Sequence, residues 1–310
     1  MIEQYSEVVQ GMLAKISGLK STPEGAYNIR IDGKGAERHD SKHIKITGKT
    51  DKQGIDIRIE DGTKDETMFI PVVVTKSGID DLVYNDFYIG ENCDVTIIAG
   101  CGIHNCGCDD SKHNGIHTFY VGKNSHVSYV EVHYGSGTGT GGRILNPQTI
   151  VNLAEDAVIV MDSSQIGGVD STQRYTRVNC DGDRSEALIT EKLMTHGDQT
   201  ADSELDVYLN GQDSKARIIS RSVAKETSSQ VFYPRLEGNN QCFGHVQCDS
   251  IIMGSGRVKS IPAIAANNAE ASLIHEAAIG KIAGEQILKL QTLGFTAEEA
   301  EEKILEGFLR

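Results

Sequence analysis

Two stretches of the chain hold side chains whose types and spacing suit chemistry. In "CGIHNCGCDDSKHNGIH", Cys101, His104, Cys106, Cys108, His113 and His117 lie within seventeen residues. Zinc or an iron–sulfur cluster needs three or four soft ligands converging on one point, and Cys101, Cys106 and Cys108 supply three. Their C-x4-C-x-C spacing matches no closed zinc module, so the competing reading is a loop whose histidines hydrogen-bond across neighbouring strands. In "HVQCDSIIMG", from His245 to Gly254, Cys248 opens an alternating strand. Val246, Cys248 and Ser250 fall on one face and Gln247, Asp249 and Ile251 on the other. A thiol there is either a small core residue or a ligand. Glu276 follows 28 residues later with His275 beside it. Thiolate, imidazole and carboxylate together suit iron, while a glutamate at that place equally suits the start of a following helix. A third stretch, "GSGTGTGG" from Gly135 to Gly142, lacks the Gly-Lys-Ser/Thr ending of a phosphate loop and reads as a flexible connection.

The elements that must position these residues are visible as a repeat. A nine-residue phrase of glycine or alanine, two polar residues, a small residue and an alternating stretch recurs. It appears as "GENCDVTII" from Gly90, "GKNSHVSYV" from Gly122, "AEDAVIVMD" from Ala154, "GDRSEALIT" from Gly182 and "GQDSKARII" from Gly211. Weaker copies start at Gly238 and Ala266, and successive starts differ by 32, 32, 28, 29, 27 and 28. Period-two alternation with Val, Ile and Tyr argues for strands rather than helical repeats. A period of roughly 30 residues with one turn signal is the pattern of stacked coils, hence an all-β chain folded as a parallel β-helix. In such a solenoid, residues one period apart become neighbours, which predicts that Cys248 shares a face with a carboxylate or imidazole from His275–Glu276. Both ends need covering, since open strand edges invite pairing.

Helices are expected at the two ends of the chain. Ile2, Tyr5, Val9, Met12 and Ile16 step by three and four, with Glu3 and Glu7 where an export signal would be basic, so residues 1–20 read as an amphipathic helical cap. The solenoid is expected over 21–275 and a helical segment over 276–310. There "TAEE" from Thr296 forms a capping box, and Ala300, Ile304 and Phe308 fall on one stripe that either folds back on the solenoid or docks a partner.

Composition excludes several classes. The net charge of −14, with 44 acids against 30 bases and no basic, aromatic-studded patch, argues against nucleic acid. No apolar run reaches the ~20 residues of a membrane helix, and seven cysteines, an odd number, fit a reducing, cytoplasmic setting. A carbohydrate-active β-helix enzyme, the rival from another class, calls for convergent acids and aromatic platforms; tryptophan is absent.

"QCDSIIMG", "ASLIHEAAIGKI", "GEQILKLQTLGFTAEEAEEKILEGF" and "EVHYGSGTGTGGRILNP" together resemble the SufB/SufD family, the scaffold proteins of SUF iron–sulfur cluster assembly. The similarity runs from about Gly100 to the C-terminus, and the short length looks like that of minimal SufB-like forms of archaea and anaerobes. It implies a right-handed parallel β-helix and a chain that holds a transient cluster without being an enzyme. It also implies a SufC-like ABC-type ATPase bound to the C-terminal helices through Thr296, Ala300, Ile304 and Phe308. Pairing with a second copy or a SufB/SufD-like paralogue through the C-terminal coils follows as well, and so does delivery to iron–sulfur recipient proteins. Cys248, Glu276 and His275 are then the cluster ligands. Ile274 stands where some SufB proteins have a second glutamate, which thins carboxylate ligation and brings the other cysteines into consideration. A SufD-like partner subunit that binds no cluster is the alternative within the family.

Overall fold

The computed structural model describes residues 2–310, and its strands build two long, mainly parallel sheets that face each other, one of ten strands and one of eleven. Each coil contributes one strand to each sheet. The front sheet runs from Lys34–His39 and Ala26–Ile31 through Lys64–Val74, Asp94–His104 and His126–Ser136 to Cys242–Ile252 and Ala271–Gly280. The fold is the expected parallel β-solenoid.

The nine-residue phrase is the corner of each coil. Its third residue, Asn92, Asn124, Asp156, Arg184 or Asp213, adopts a left-handed backbone with φ between 54° and 58°. Asn and Asp tolerate that conformation through local side-chain hydrogen bonding. Arg184 is the departure, and its guanidinium is held by Glu155 and Asp156 of the preceding corner. The fourth residue, Cys93, Ser125, Ala157, Ser185 or Ser214, is buried under the turn. Corners stack so closely that a Cβ at Gly182 or Gly211 would run into the backbone of the corner below, which is why glycine opens those copies. At the same corner a side-chain ladder runs from Asn267 to Asn239 to Asn210 to Asp181, with rungs of 2.6–2.7 Å.

Alternate residues of every strand point inward and form one continuous apolar core from the Ile44 and Ile57 coil to Cys248 and Leu273. Phe87 and Phe119 stack in parallel at 4.2 Å. Burial of each such side chain contributes roughly 1.5–3 kcal/mol. The interior is also unusually polar along one line. Arg30 and His113 both hold Asp81, Tyr129 donates to Glu131, and Arg174 donates to His133 and Glu191.

Helix α1 (Glu7–Ser17) departs from its expected role. It does not close the end of the solenoid; it lies along the outer face of the front sheet. Met12, Leu13 and Ile16 pack with Tyr27, Ile29 and Val73. The reason is local: the outer face is apolar there, and a side chain at Gly100 would collide with Ile16. Two antiparallel strands close the N-terminal end instead, Lys34–His39 on the front sheet and Ile44–Gly48 on the back. The boundary expected at 276 also moves, because the last strand runs to Gly280 before α2 (Gly284–Gln291) and α3 (Ala297–Phe308) begin. The glycine-rich connection is clamped rather than flexible: Gly139 donates to Asn105 and Gly141 to Gly107 of the neighbouring loop.

Candidate functional site

Cys248 sits in the middle of Cys242–Ile252, facing inward, with its residue 3% exposed. The final strand pairs with it in parallel, but one residue away from the expected register. Cys248 lies opposite Ala277, Gln247 opposite Glu276 and Val246 opposite His275. A shift of one residue reverses the face of every side chain. Cys248 and Glu276 are therefore on opposite sides of the sheet, and of the two expected neighbours the carboxylate does not share the face of the thiol.

The structure brings together two other pairs. Inside, the Cys248 thiol lies 3.6 Å from His275 Nε2. Outside, His245 Nε2 lies 2.8 Å from a Glu276 carboxylate oxygen, and that carboxylate side chain is 60% exposed. His245 escaped sequence reasoning, although its alternation with Val246 and Cys248 already put it on the outer face.

Burial pushes the Cys248 thiol up to about 11, so the free thiol is protonated at neutral pH. A metal that binds it must displace that proton. Inside the coil Cys248 is lined by Glu191, Ser203, Ser220, Ser222, Gln230 and Ser260, around a space of about 10 Å³. That holds roughly one water molecule and no cluster. Anything larger bound to Cys248 must lie toward the open end, where Ala271–Gly280 and the short back-sheet strands Arg257–Ser260 and Ala263–Ala266 have no further coil above them. Ile261, Ile264, Ile274 and Ile279 are exposed along this last coil.

The other cysteines do not converge. Cys101 faces the core of Asp94–His104, and burial drives its thiol well above the ordinary range. Cys106 and Cys108 are exposed on the loop that follows. His113 and His117 lie on the strand Ser111–Val121 rather than in a loop, and they point into the solenoid on Asp81 and on Tyr129. Among the described residues, no group of three or more His, Cys, Asp or Glu side chains is arranged to hold a metal ion. The two side chains of ligand type that the last coils bring together are Cys248 and His275.

At the C-terminal helices, Thr296 caps α3 in a complete capping box with Glu299. Ala300 is fully buried, Leu305 and Leu309 pack on Val223, and Phe308 joins them. The expected stripe thus faces its own solenoid, with Ile304 only partly exposed. The apolar side chains left in solvent are Leu288 on α2 and Leu293 and Phe295 in the turn, exposed by 61%, 70% and 37%. They went unread in the sequence because an apolar stripe does not say which of two faces the tertiary structure will cover. No helix of the described residues is long and apolar enough to cross a membrane.

Residues 84–308 match the family described as SUF system FeS cluster assembly, SufBD core domain. The chain is 30% identical over 223 residues to an iron–sulfur cluster assembly SufBD family protein of Methanothermobacter thermautotrophicus, covering 71% of this chain and 53% of that protein. A relative of the same description from Archaeoglobus fulgidus is 28% identical over 266 residues, covering 86% of this chain and 70% of its own. A chloroplastic SufBD family protein of Arabidopsis thaliana is 27% identical over 206 residues, covering 64% and 37%. The chain thus spans about half the length of the Methanothermobacter protein. With its solenoid, its cysteine-bearing last coils and this match over most of its length, the chain belongs to the SufBD family of iron–sulfur cluster assembly proteins.

Proposed function

We propose that this chain is a cytoplasmic scaffold on which a nascent iron–sulfur cluster is held, as cargo, at the open C-terminal end of the solenoid. The observation that carries the reading is the Cys248–His275 pair, 3.6 Å apart on the last two coils. Sulfur and imidazole suit iron, and the pair sits where no further strand covers it. Two ligands from one chain do not complete a cluster site, so a second copy or a SufB/SufD-like paralogue, paired along the exposed Ala271–Gly280 edge, supplies the rest. Glu276, bound to His245 on the outer face, is a further ligand only if that contact opens.

An ABC-type ATPase of the SufC kind is the second partner. Its docking surface is the exposed apolar set Leu288, Leu293 and Phe295, held in place by α3, which Thr296 caps and whose Leu305, Phe308 and Leu309 pack against the solenoid. ATP-driven movement of these helices opens the last coil to iron and sulfide, and the finished cluster passes to recipient proteins. The chain contributes ligands rather than turnover. Seven free cysteines are compatible with a reducing compartment.

Anaerobic incubation with ferrous iron and sulfide, read by visible absorption and by iron and sulfide content, tests the scaffold role. Wild type should colour; Cys248→Ser should bind less than about a tenth as much while keeping its circular dichroism, and His275→Ala should load weakly. Full colour in Cys248→Ser removes this residue from the site, and a colourless wild type favours the partner subunit that binds no cluster.

A further inference from the structure

Inside the closed half of the solenoid, two imidazoles converge that cluster holding at the other end does not use. His113 and His117 face inward from Ser111–Val121, 2% and 4% exposed, with Gly115 between them. Their Nε2 atoms close over that glycine, 3.4 and 3.1 Å from where a Cβ would stand. A side chain at this position would hold the rings apart, so the glycine is what lets them meet.

Hydrogen bonds fix both tautomers. His113 Nδ1 lies 3.0 Å from Asp81 Oδ2, which accepts from Arg30 as well, so Nδ1 carries the proton. His117 Nδ1 lies 2.8 Å from the Tyr129 hydroxyl, whose own proton goes to Glu131, so here too Nδ1–H donates. Both Nε2 atoms are left with lone pairs close to one spot. Among the described residues His113 Nε2 has no partner, and His117 Nε2 has one long contact, 3.3 Å from Asn85 Nδ2. A carboxylate behind each imidazole, direct at His113 and through Tyr129 at His117, is the outer-shell arrangement that orients metal-binding histidines. The buried charge is one positive unit short: Asp81, Glu131 and Glu191 stand against Arg30 and Arg174. His133 does not supply it, because Arg174 donates to its Nδ1 and leaves that imidazole neutral.

Imidazole suits copper, zinc, iron and nickel. Zinc asks for four ligands, whereas monovalent copper is complete with two or three, and its single charge matches the deficit. We propose that His113 and His117 hold one Cu(I) ion inside the solenoid, with Asn85 as a third donor once its amide turns to present Oδ1. Access is from the N-terminal end, where a cavity of about 80 Å³ lies between Gly35 and Arg38 of the antiparallel hairpin and Val83 and Asn85 within. Val83 and Asn85 are the strand neighbours of Gly115 and His117. Binding displaces no proton, since both Nε2 atoms are already bare. The site stands independently of the cluster-holding reading.

The test titrates the full chain anaerobically with Cu(I) bicinchoninate, in a background of Cys106→Ser, Cys108→Ser and Cys248→Ser that removes competing thiols. One copper per chain should leave the chelator, read as loss of its colour, and X-ray absorption at the copper edge should show nitrogen neighbours and no sulfur. His113→Gln and Gly115→Ala should each abolish uptake. Tyr129→Phe keeps the ring, removes the hydroxyl that orients His117, and should weaken binding roughly tenfold. Sulfur around the copper, full uptake in a folded His113→Gln or Gly115→Ala chain, or displacement by an equal amount of Zn²⁺ overturns the site. So does a folded background chain that takes no copper even when refolded with Cu(I) present. Should the first two variants fail to fold, Tyr129→Phe decides alone, and an affinity unchanged there overturns the assignment.

Discussion

The two ends of the solenoid are finished differently. At the N-terminal end both sheets terminate in antiparallel strands, the outer face is covered by α1, and the coils nearest it hold the largest buried side chains, Phe87, Phe119 and Tyr129. At the C-terminal end the final strands are parallel, short on the back sheet and exposed, with isoleucines along the last coil. A parallel edge left open displays unpaired backbone groups to any chain that can add a strand. The closed end buries its apolar surface, and the open end leaves isoleucines in solvent. Cys248 and His275 belong to the open end; the His113–His117 pair lies inside the closed half.

Substitutions at the two ends should separate these roles. The largest stability loss is expected from Phe119→Ala, which removes a fully buried ring stacked on Phe87 and should cost about 3–5 kcal/mol, read as a fall in denaturation midpoint. A loss below about 1 kcal/mol would mean that the closed half is not the stable one.

Acid should act on the same half. His117 is pushed down to about 4, first by burial and then by His113 and His133, with Glu131 opposing. An unfolded histidine titrates near 6.5. Between those values the unfolded chain takes a proton that the folded chain refuses. Its contribution is therefore complete above about pH 6.5 and declines as pH falls to 4, by at most about 3 kcal/mol. Asp81 and Glu131, which burial pushes up but their Arg and His partners hold well below the usual carboxylate range, add a further loss below about pH 4. Urea titrations across pH should show the slope, and His117→Asn should flatten it between pH 6.5 and 4.

The smallest effect on the folded monomer is expected from Ile274→Lys at the open edge, within about 0.5 kcal/mol for an exposed position. Its consequence should appear in sedimentation, as loss of self-association or of pairing with a paralogue. A wild type that stays monomeric alone and with a paralogue, or an Ile274→Lys chain that still pairs, would show that the edge is not the interface.

Much of the fold was legible because a solenoid is nearly one-dimensional. Each corner repeats the same steric demand, a residue that tolerates positive φ followed by a small buried one, and side-chain alternation reports the inner face. The spacing of strong copies, 32, 32, 28 and 29, is the spacing of the paired strands. The two weak copies slipped by one. Cys242 pairs with Ser214, 28 residues back, and Ala271 with Cys242, 29 back, where the phrases suggested 27 and 28. That single residue separated Cys248 from Glu276 and joined it to His275, because side chains alternate with period two.

Periodicity, turn chemistry and composition thus determined by themselves that this chain stacks coils, which residues turn its corners, and that thiols and imidazoles gather in two places. Tertiary structure alone decided which thiol meets which imidazole, which face of α3 is covered, and that α1 lies along a flank instead of over an end. Those outcomes depend on register at an edge and on competition between surfaces far apart in sequence, and local patterns carry no information about either.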